Sequence, residues 1–115
     1  MLTDPAVEAF EASKVDPQHF RHRDHLYVAW CYLRVMPLEE ALARYVRFLR
    51  ALVTSLGVPH KFHRTVTWRF VLLLERCMRE TPGLGFDALL AAHPALTAKH
   101  DAWLDERGRE HVAWP

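Results

Sequence analysis

The chain has few cysteines and glycines, and it contains no long apolar run. Two of its 115 residues are cysteines and four are glycines. Cys31 and Cys77 stand apart inside apolar helical patterns, which suits neither a disulfide framework nor a thiolate metal site and predicts two buried, reduced thiols. No apolar run is long enough to cross a bilayer, and the amino-terminal residues lack the basic-then-apolar pattern of a signal peptide. We therefore expect a cytoplasmic protein that does not contact a membrane.

Familiar catalytic signatures are missing as well. The sequence contains no phosphate-binding glycine loop, no serine-elbow motif and no paired-carboxylate glycosidase pattern. No stretch of four residues alternates cleanly between apolar and polar, so no β-sheet is predicted. Half of the residues are apolar and a quarter are charged, which is typical of a globular protein. This length predicts one domain over residues 1–115. Whether that domain is an enzyme stays open.

Charge is unevenly distributed along the chain, although the formal net charge is only +1. Residues 14–79 contain twelve Lys or Arg against five Asp or Glu, whereas the remaining residues contain three against nine. A basic centre between acidic ends indicates either an anionic ligand or acidic ends that fold back over the centre. We favour the second explanation, because a small domain can neutralise itself in this way.

Helix signals dominate the rest of the sequence. Asp4 before Pro5 is typical of a capped helix start, and Gly57 is typical of a helix end. The segment from Val15 to Phe20 is predicted to be an extended connector. The fold class is all-α, a single compact domain of about five to six helices with three longer helices forming the core. The predicted helices are Pro5–Ser13, Arg21–Met36, Pro37–Leu56, Phe62–Glu80, Phe86–Ala92 and a weaker one after Pro94 through Trp103.

Eight histidines are a high number for this length. His22 and His25 are three residues apart at the start of the second predicted helix, so both imidazoles lie on one side of it. His63 begins the fourth predicted helix on its apolar side. If these two helices pack with their amino ends together, three neutral imidazoles would converge. That set with an open fourth position is typical of a divalent transition-metal site, for zinc or iron.

Other polar residues near these histidines are candidate ligand-binding residues. Asp24 lies between the paired histidines and could orient one of them. Threonine and tyrosine hydroxyl groups and one lysine complete the set. The alternative is structural, because histidines at helix starts often bond free backbone groups. The ligand-binding candidates are Asp24, Lys61, Thr65, Thr67 and Tyr32.

Two histidine blocks resemble those of a family of small, largely uncharacterised bacterial helical proteins. The first block reads Phe20-Arg-His-Arg-Asp-His25, and the second reads Lys61-Phe-His-Arg-Thr65 followed by Val-Thr67. The last seven residues, Arg109–Pro115, are also similar to the closing stretch of that family. The resemblance implies an all-helical fold and marks the two histidine blocks as the site, but it implies no activity.

The second block departs from the family pattern at two positions. Phe62 replaces a tyrosine, and Arg64 replaces a glutamate. Arginine cannot ligate a cation and repels one nearby, so this member would be impaired if the family glutamate held a metal. The first block keeps the family pattern.

Three hypotheses follow from the sequence. The first is a metal-binding protein that uses His22, His25 and His63. The second is a metal-free binding or regulatory module whose histidines and Lys61 line a pocket for a small ligand, including an anionic one. The third is a protein-interaction unit, either a homodimer or an accessory subunit, that uses exposed aromatic residues. Nucleic acid is disfavoured, because the arginine stripe at positions 44, 47 and 50 lacks base-reading neighbours and is typical of a solvated face.

Overall fold

The protein is all-α. A computed structural model describes residues 4–16 and 18–97. Within those ranges it contains five α-helices and two short 3₁₀ helices and no strand. None of these helices combines the length and the apolar character needed to span a membrane. The α-helices are α1 Pro5–Glu11, α2 His22–Val35, α3 Leu38–Ser55, α4 Arg64–Glu80 and α5 Phe86–Ala92, and the 3₁₀ helices are Pro59–Lys61 and Pro94–Thr97.

The helix predictions are confirmed in number and order for the described residues. The bounds of α5 are as predicted, and α2 is shorter than predicted by one residue at each end. Between the predicted helices that end at Leu56 and begin at Phe62, Pro59 begins a short 3₁₀ helix, for which the sequence predicted no regular structure. Pro94 begins only a short 3₁₀ helix, and the rest of the predicted last helix lies outside the described residues. Contacts group the chain into two units, Met1–Phe62 and His63–Pro115, and a single domain over residues 1–115 stays a prediction.

The first unit contains α1, α2 and α3 around an aromatic core. Phe10, Tyr32 and Tyr45 are all completely buried. The ring of Phe10 stacks on that of Tyr45 with centroids 5.3 Å apart, and on that of Phe20 at 5.9 Å. Offset aromatic pairs at these distances add to the free energy gained by burial alone. The stack fixes α1 and the connector that ends at Phe20 against α3.

A polar network joins the three helices at the edge of that core. The hydroxyl of Tyr32 donates to a Glu11 carboxylate oxygen at 2.6 Å. The Arg44 guanidinium donates to both oxygens of the same carboxylate, at 3.0 and 3.3 Å. Burial, followed by the bond to Glu11, raises the pKa of Tyr32. This pair between Glu11 and Arg44 joins the acidic end of the chain to its basic centre, as the charge pattern predicts.

The second unit contains α4, α5 and the 3₁₀ helix after Pro94. Its buried apolar side chains recur along one face of α4 and on α5. The Thr81 hydroxyl donates to the Cys77 carbonyl oxygen at 2.9 Å and lies 2.9 Å from Nε2 of His93. Since a hydroxyl has only one proton, Nε2 of His93 carries hydrogen and donates to it. This bond ties the segment after α4 to the end of α5.

The two cysteines are confirmed as buried free thiols. Burial raises the pKa of the Cys31 thiol and of the Cys77 thiol. Cys31 belongs to the first unit and Cys77 to the second. Neither thiol is therefore suited to act as a nucleophile in the folded protein, because the thiolate is the reactive form.

Candidate functional site

A cleft of about 160 Å³ opens in the first unit where α1, the connector and the first two turns of α2 meet. Its floor is apolar and its polar groups are two carboxylates, an imidazole and a phenol. None of the described lining residues is a lysine or an arginine. The lining residues are Ala6, Ala9, Val15, Asp16, His19, Phe20, Asp24 and Tyr27.

Asp16 organises the connector at one rim of the cleft. One of its carboxylate oxygens accepts from the Gln18 N–H at 3.0 Å, and the other lies 2.6 Å from Nδ1 of His19. Its carbonyl oxygen accepts from the N–H groups of His19 and Phe20. The bond with His19, followed by the Gln18 N–H, lowers the pKa of the Asp16 carboxyl. The result is an ionised carboxylate and an oriented imidazole, both exposed at the rim.

Asp24 also lines the cleft, from the first turn of α2. One of its carboxylate oxygens accepts from the Arg21 N–H at 2.8 Å, and its own N–H donates to the Arg21 carbonyl oxygen. This reciprocal pair closes the start of the helix, where an anion is also favoured by the helix dipole. Asp24 therefore binds a backbone group rather than a neighbouring histidine, and its half-buried side chain faces the cleft.

Tyr27 fixes the wall formed by α1. Its hydroxyl donates to one carboxylate oxygen of Asp4, and the other oxygen accepts from the Ala6 N–H at 2.8 Å. The bond with Tyr27 lowers the pKa of Asp4, and the same bond raises the pKa of Tyr27. Asp4 thus caps α1 and ties it to α2 at once, so the two helices that border the cleft are held together.

His25 lies beside the cleft and is held from two sides. Its Nδ1 is 2.9 Å from the hydroxyl of Tyr45, and its ring meets that of Phe20 edge-on at a centroid distance of 4.4 Å. Burial raises the pKa of Tyr45 well above 10, so this hydroxyl stays neutral. A half-buried imidazole held in this way has a fixed ring orientation, and that orientation depends on both partners.

The predicted site residues are divided between the two units. His22 and His25 lie in the first turn of α2, and Lys61 is exposed in a 3₁₀ helix of the same unit. His63 precedes α4 in the second unit, where Thr65 and Thr67 are each 4% exposed. Tyr32 is fully buried and bound to Glu11. Across residues 4–16 and 18–97, no group of three or more His, Cys, Asp or Glu side chains is placed to hold a metal ion.

Sequence reasoning missed two residues of the cleft, Asp16 and His19. Asp16 is followed directly by a proline and lies three residues before His19. This pattern is typical of a turn in which the aspartate side chain accepts hydrogen bonds from nearby residues. That local signal was sufficient to predict their pairing. Their position over Ala6 and Ala9 of α1 depends on tertiary packing, and no local signal indicates it.

The family resemblance and its histidine motifs remain predictions. The first block supplies Phe20 and Asp24 to the cleft and His25 to its border, whereas the second block begins at Lys61, outside the cleft. No protein-family model, no curated protein and no solved structure matches this chain. Its function is therefore inferred from the side chains themselves.

Proposed function

We propose that the protein is a small-ligand-binding module and that its ligand is a small organic amine with a short apolar group, held in the cleft between α1 and α2. The observation that carries this proposal is the pairing of an apolar floor with the carboxylates of Asp16 and Asp24. Such a combination of apolar surface and a few placed polar groups is typical of small-molecule sites.

The electrostatics of the cleft favour a cation. The Asp16 carboxyl has a lowered pKa and is ionised at neutral pH. An ammonium group beside these carboxylates gains charge-assisted hydrogen bonds, whereas a carboxylate ligand would be repelled. One hypothesis from the sequence was a pocket lined by Lys61 and the histidines for a small ligand, including an anionic one. Lys61 is not part of the cleft.

Size limits the ligand further. Pockets for drug-sized molecules measure roughly 300–1,000 Å³, well above this cleft. The floor of Ala6, Ala9, Val15 and Phe20 accepts a short alkyl group. We therefore expect the ligand to have only a few carbon atoms beside its amine.

Three probes of nearly equal shape test the proposal: butylamine, butanol and butyrate. Titrations followed by backbone amide chemical shifts should show butylamine binding with changes confined to α1, the connector and α2. Asp24→Asn keeps an oxygen for the Arg21 N–H and removes the charge. This variant should weaken butylamine binding about fivefold, the effect of one partly exposed ion pair.

Glu8→Gln is the matched control, since it removes one negative charge from α1 outside the cleft lining. It should leave butylamine binding unchanged. Butyrate binding as tightly as butylamine, or an equal loss in Glu8→Gln and Asp24→Asn, would show that the carboxylates of the cleft do not select the ligand.

The metal site on His22, His25 and His63 stays a prediction from the sequence and is the second candidate, although no group of three ligating side chains in the described residues is placed to hold a metal. The observation that favours it is the bond between Nδ1 of His25 and the Tyr45 hydroxyl, because histidines that ligate metals commonly bond a second partner through their other ring nitrogen. The metal would be zinc or iron. Elemental analysis decides between this candidate and the amine-binding module.

A further inference from the structure

The outer side of α3 beyond its acidic first turn and the following 3₁₀ helix form a basic face. Its cations are Arg47, Arg50 and Lys61, all exposed, and its rings are those of Phe48 and Phe62, both half-exposed. Residues 41–61 contain no aspartate or glutamate. The face belongs entirely to the first unit.

Arg47 and Arg50 have aromatic rings as partners, as Arg34 has in Trp30, whereas two arginines of α4 have carboxylates. Arg76 and Arg79 pair with glutamates one turn away on α4. Arg47 instead lies over the ring of Phe48 at 5.4 Å, and Arg50 lies over that of Phe62 at 5.7 Å. No carboxylate within the described part of the chain pairs with either of them.

Stacking on a ring prepares a guanidinium for a ligand. It restricts the side chain while leaving the N–H groups at its edge available, so less conformational entropy is lost when an anion binds. Two such groups three residues apart are separated by about 4.5 Å along the helix axis. That spacing matches carboxylates one turn apart on a facing helix.

Small and apolar side chains are also exposed on α3 and just after it. Ala43 and Ala51 are small and exposed, and Leu56 at the end of α3 is 36% exposed. The rings of Phe48 and Phe62 are half-exposed. Small residues let a second helix approach closely, and apolar spots match apolar side chains on it.

We propose that the basic face binds an acidic, amphipathic helix of a partner protein. Nucleic acid fits the face less well. Duplex-binding proteins commonly make about 6–10 phosphate contacts, more than the three cations supply. Residues 41–61 also contain no asparagine or glutamine, the side chains that commonly read adenine.

Fluorescence anisotropy with a labelled helical peptide of Leu, Ala and Glu tests the proposal on the full chain. A peptide with Gln in place of Glu is the first control, and a single-stranded DNA oligonucleotide of the same net charge is the second. The Glu peptide should bind, with an affinity that falls as salt is added. Arg47→Ala/Arg50→Ala should weaken that binding at least about tenfold. Alanine favours helix at exposed positions, so the variant should retain its circular dichroism spectrum.

Arg76→Ala/Arg79→Ala is the matched variant, because it removes the same charge from arginines that already have partners. It should bind the Glu peptide as the parent does. No binding of the Glu peptide, equal binding of the Gln peptide, or an equal loss in both variants would overturn the proposal. Tighter binding of the oligonucleotide would overturn it in favour of a nucleic-acid surface.

Discussion

The side chain of Glu11 joins α1 to both α2 and α3. Its carboxylate accepts from the Tyr32 hydroxyl and twice from the Arg44 guanidinium. Glu11→Ala leaves the buried Tyr32 hydroxyl without this acceptor. We expect it to lower the free energy of unfolding by about 1–3 kcal/mol, the usual penalty for a buried polar group that loses its partner. Urea denaturation followed by circular dichroism measures the change.

Arg44→Ala provides the comparison for Glu11→Ala. The Arg44 side chain is 42% exposed, and the Glu11 carboxylate would keep its bond from Tyr32. Partly exposed ion pairs contribute only about 0–1 kcal/mol, so the cost should be the smaller of the two. Equal losses in both variants would mean that the ion pair, and not the buried hydroxyl, dominates this network.

The end of α3 depends on Gly57, which follows the helix with a φ of +75°. An added Cβ would meet nothing within 4 Å, so the backbone alone resists substitution. Gly57→Ala should lower the free energy of unfolding by about 1 kcal/mol, whereas Gly57→Asn should cost less because asparagine tolerates this conformation. Urea denaturation of both variants checks the order. An alanine variant as stable as the parent would show that the turn relaxes without cost.

The helices could be predicted from the sequence because their ends are marked locally. Asp4 before Pro5 caps α1, Pro37 precedes α3, and Gly57 follows it. The 3₁₀ helix at Pro59 was missed, since one turn of helix has too few residues to show a period. The cleft could not be predicted, because it requires α1 to pack against the connector and the start of α2, and no local sequence signal indicates that packing.

The metal hypothesis concerns the whole molecule, because its three histidines belong to both units. This hypothesis predicts about one zinc or iron ion per chain in protein purified without a histidine tag. The metal should be lost in His22→Ala and in His63→Ala, as measured by elemental mass spectrometry. His60→Ala, at an exposed position, should retain it. A metal-free parent with an unchanged fold would leave the amine-binding module as the remaining candidate.

The distribution of charge is also a property of the whole molecule. The sequence predicts acidic ends folded over a basic centre, and Glu11 with Arg44 is such a pair. Within the described residues, Arg47 and Arg50 stack on phenylalanine rings and pair with no carboxylate. Composition shows how much positive charge the centre has, but only side-chain positions show which arginines are already neutralised.

The alkylation rates of the two buried thiols can report how often each unit opens. Cys31 and Cys77 are buried in different units, and burial raises both pKa values. An alkylating reagent therefore reaches each sulfur only while its own surroundings are open. Peptide mass spectrometry after timed alkylation would report two rates from one sample, one from each unit. Equal rates would mean that the two units open equally often, and unequal rates would rank them by how often each one opens.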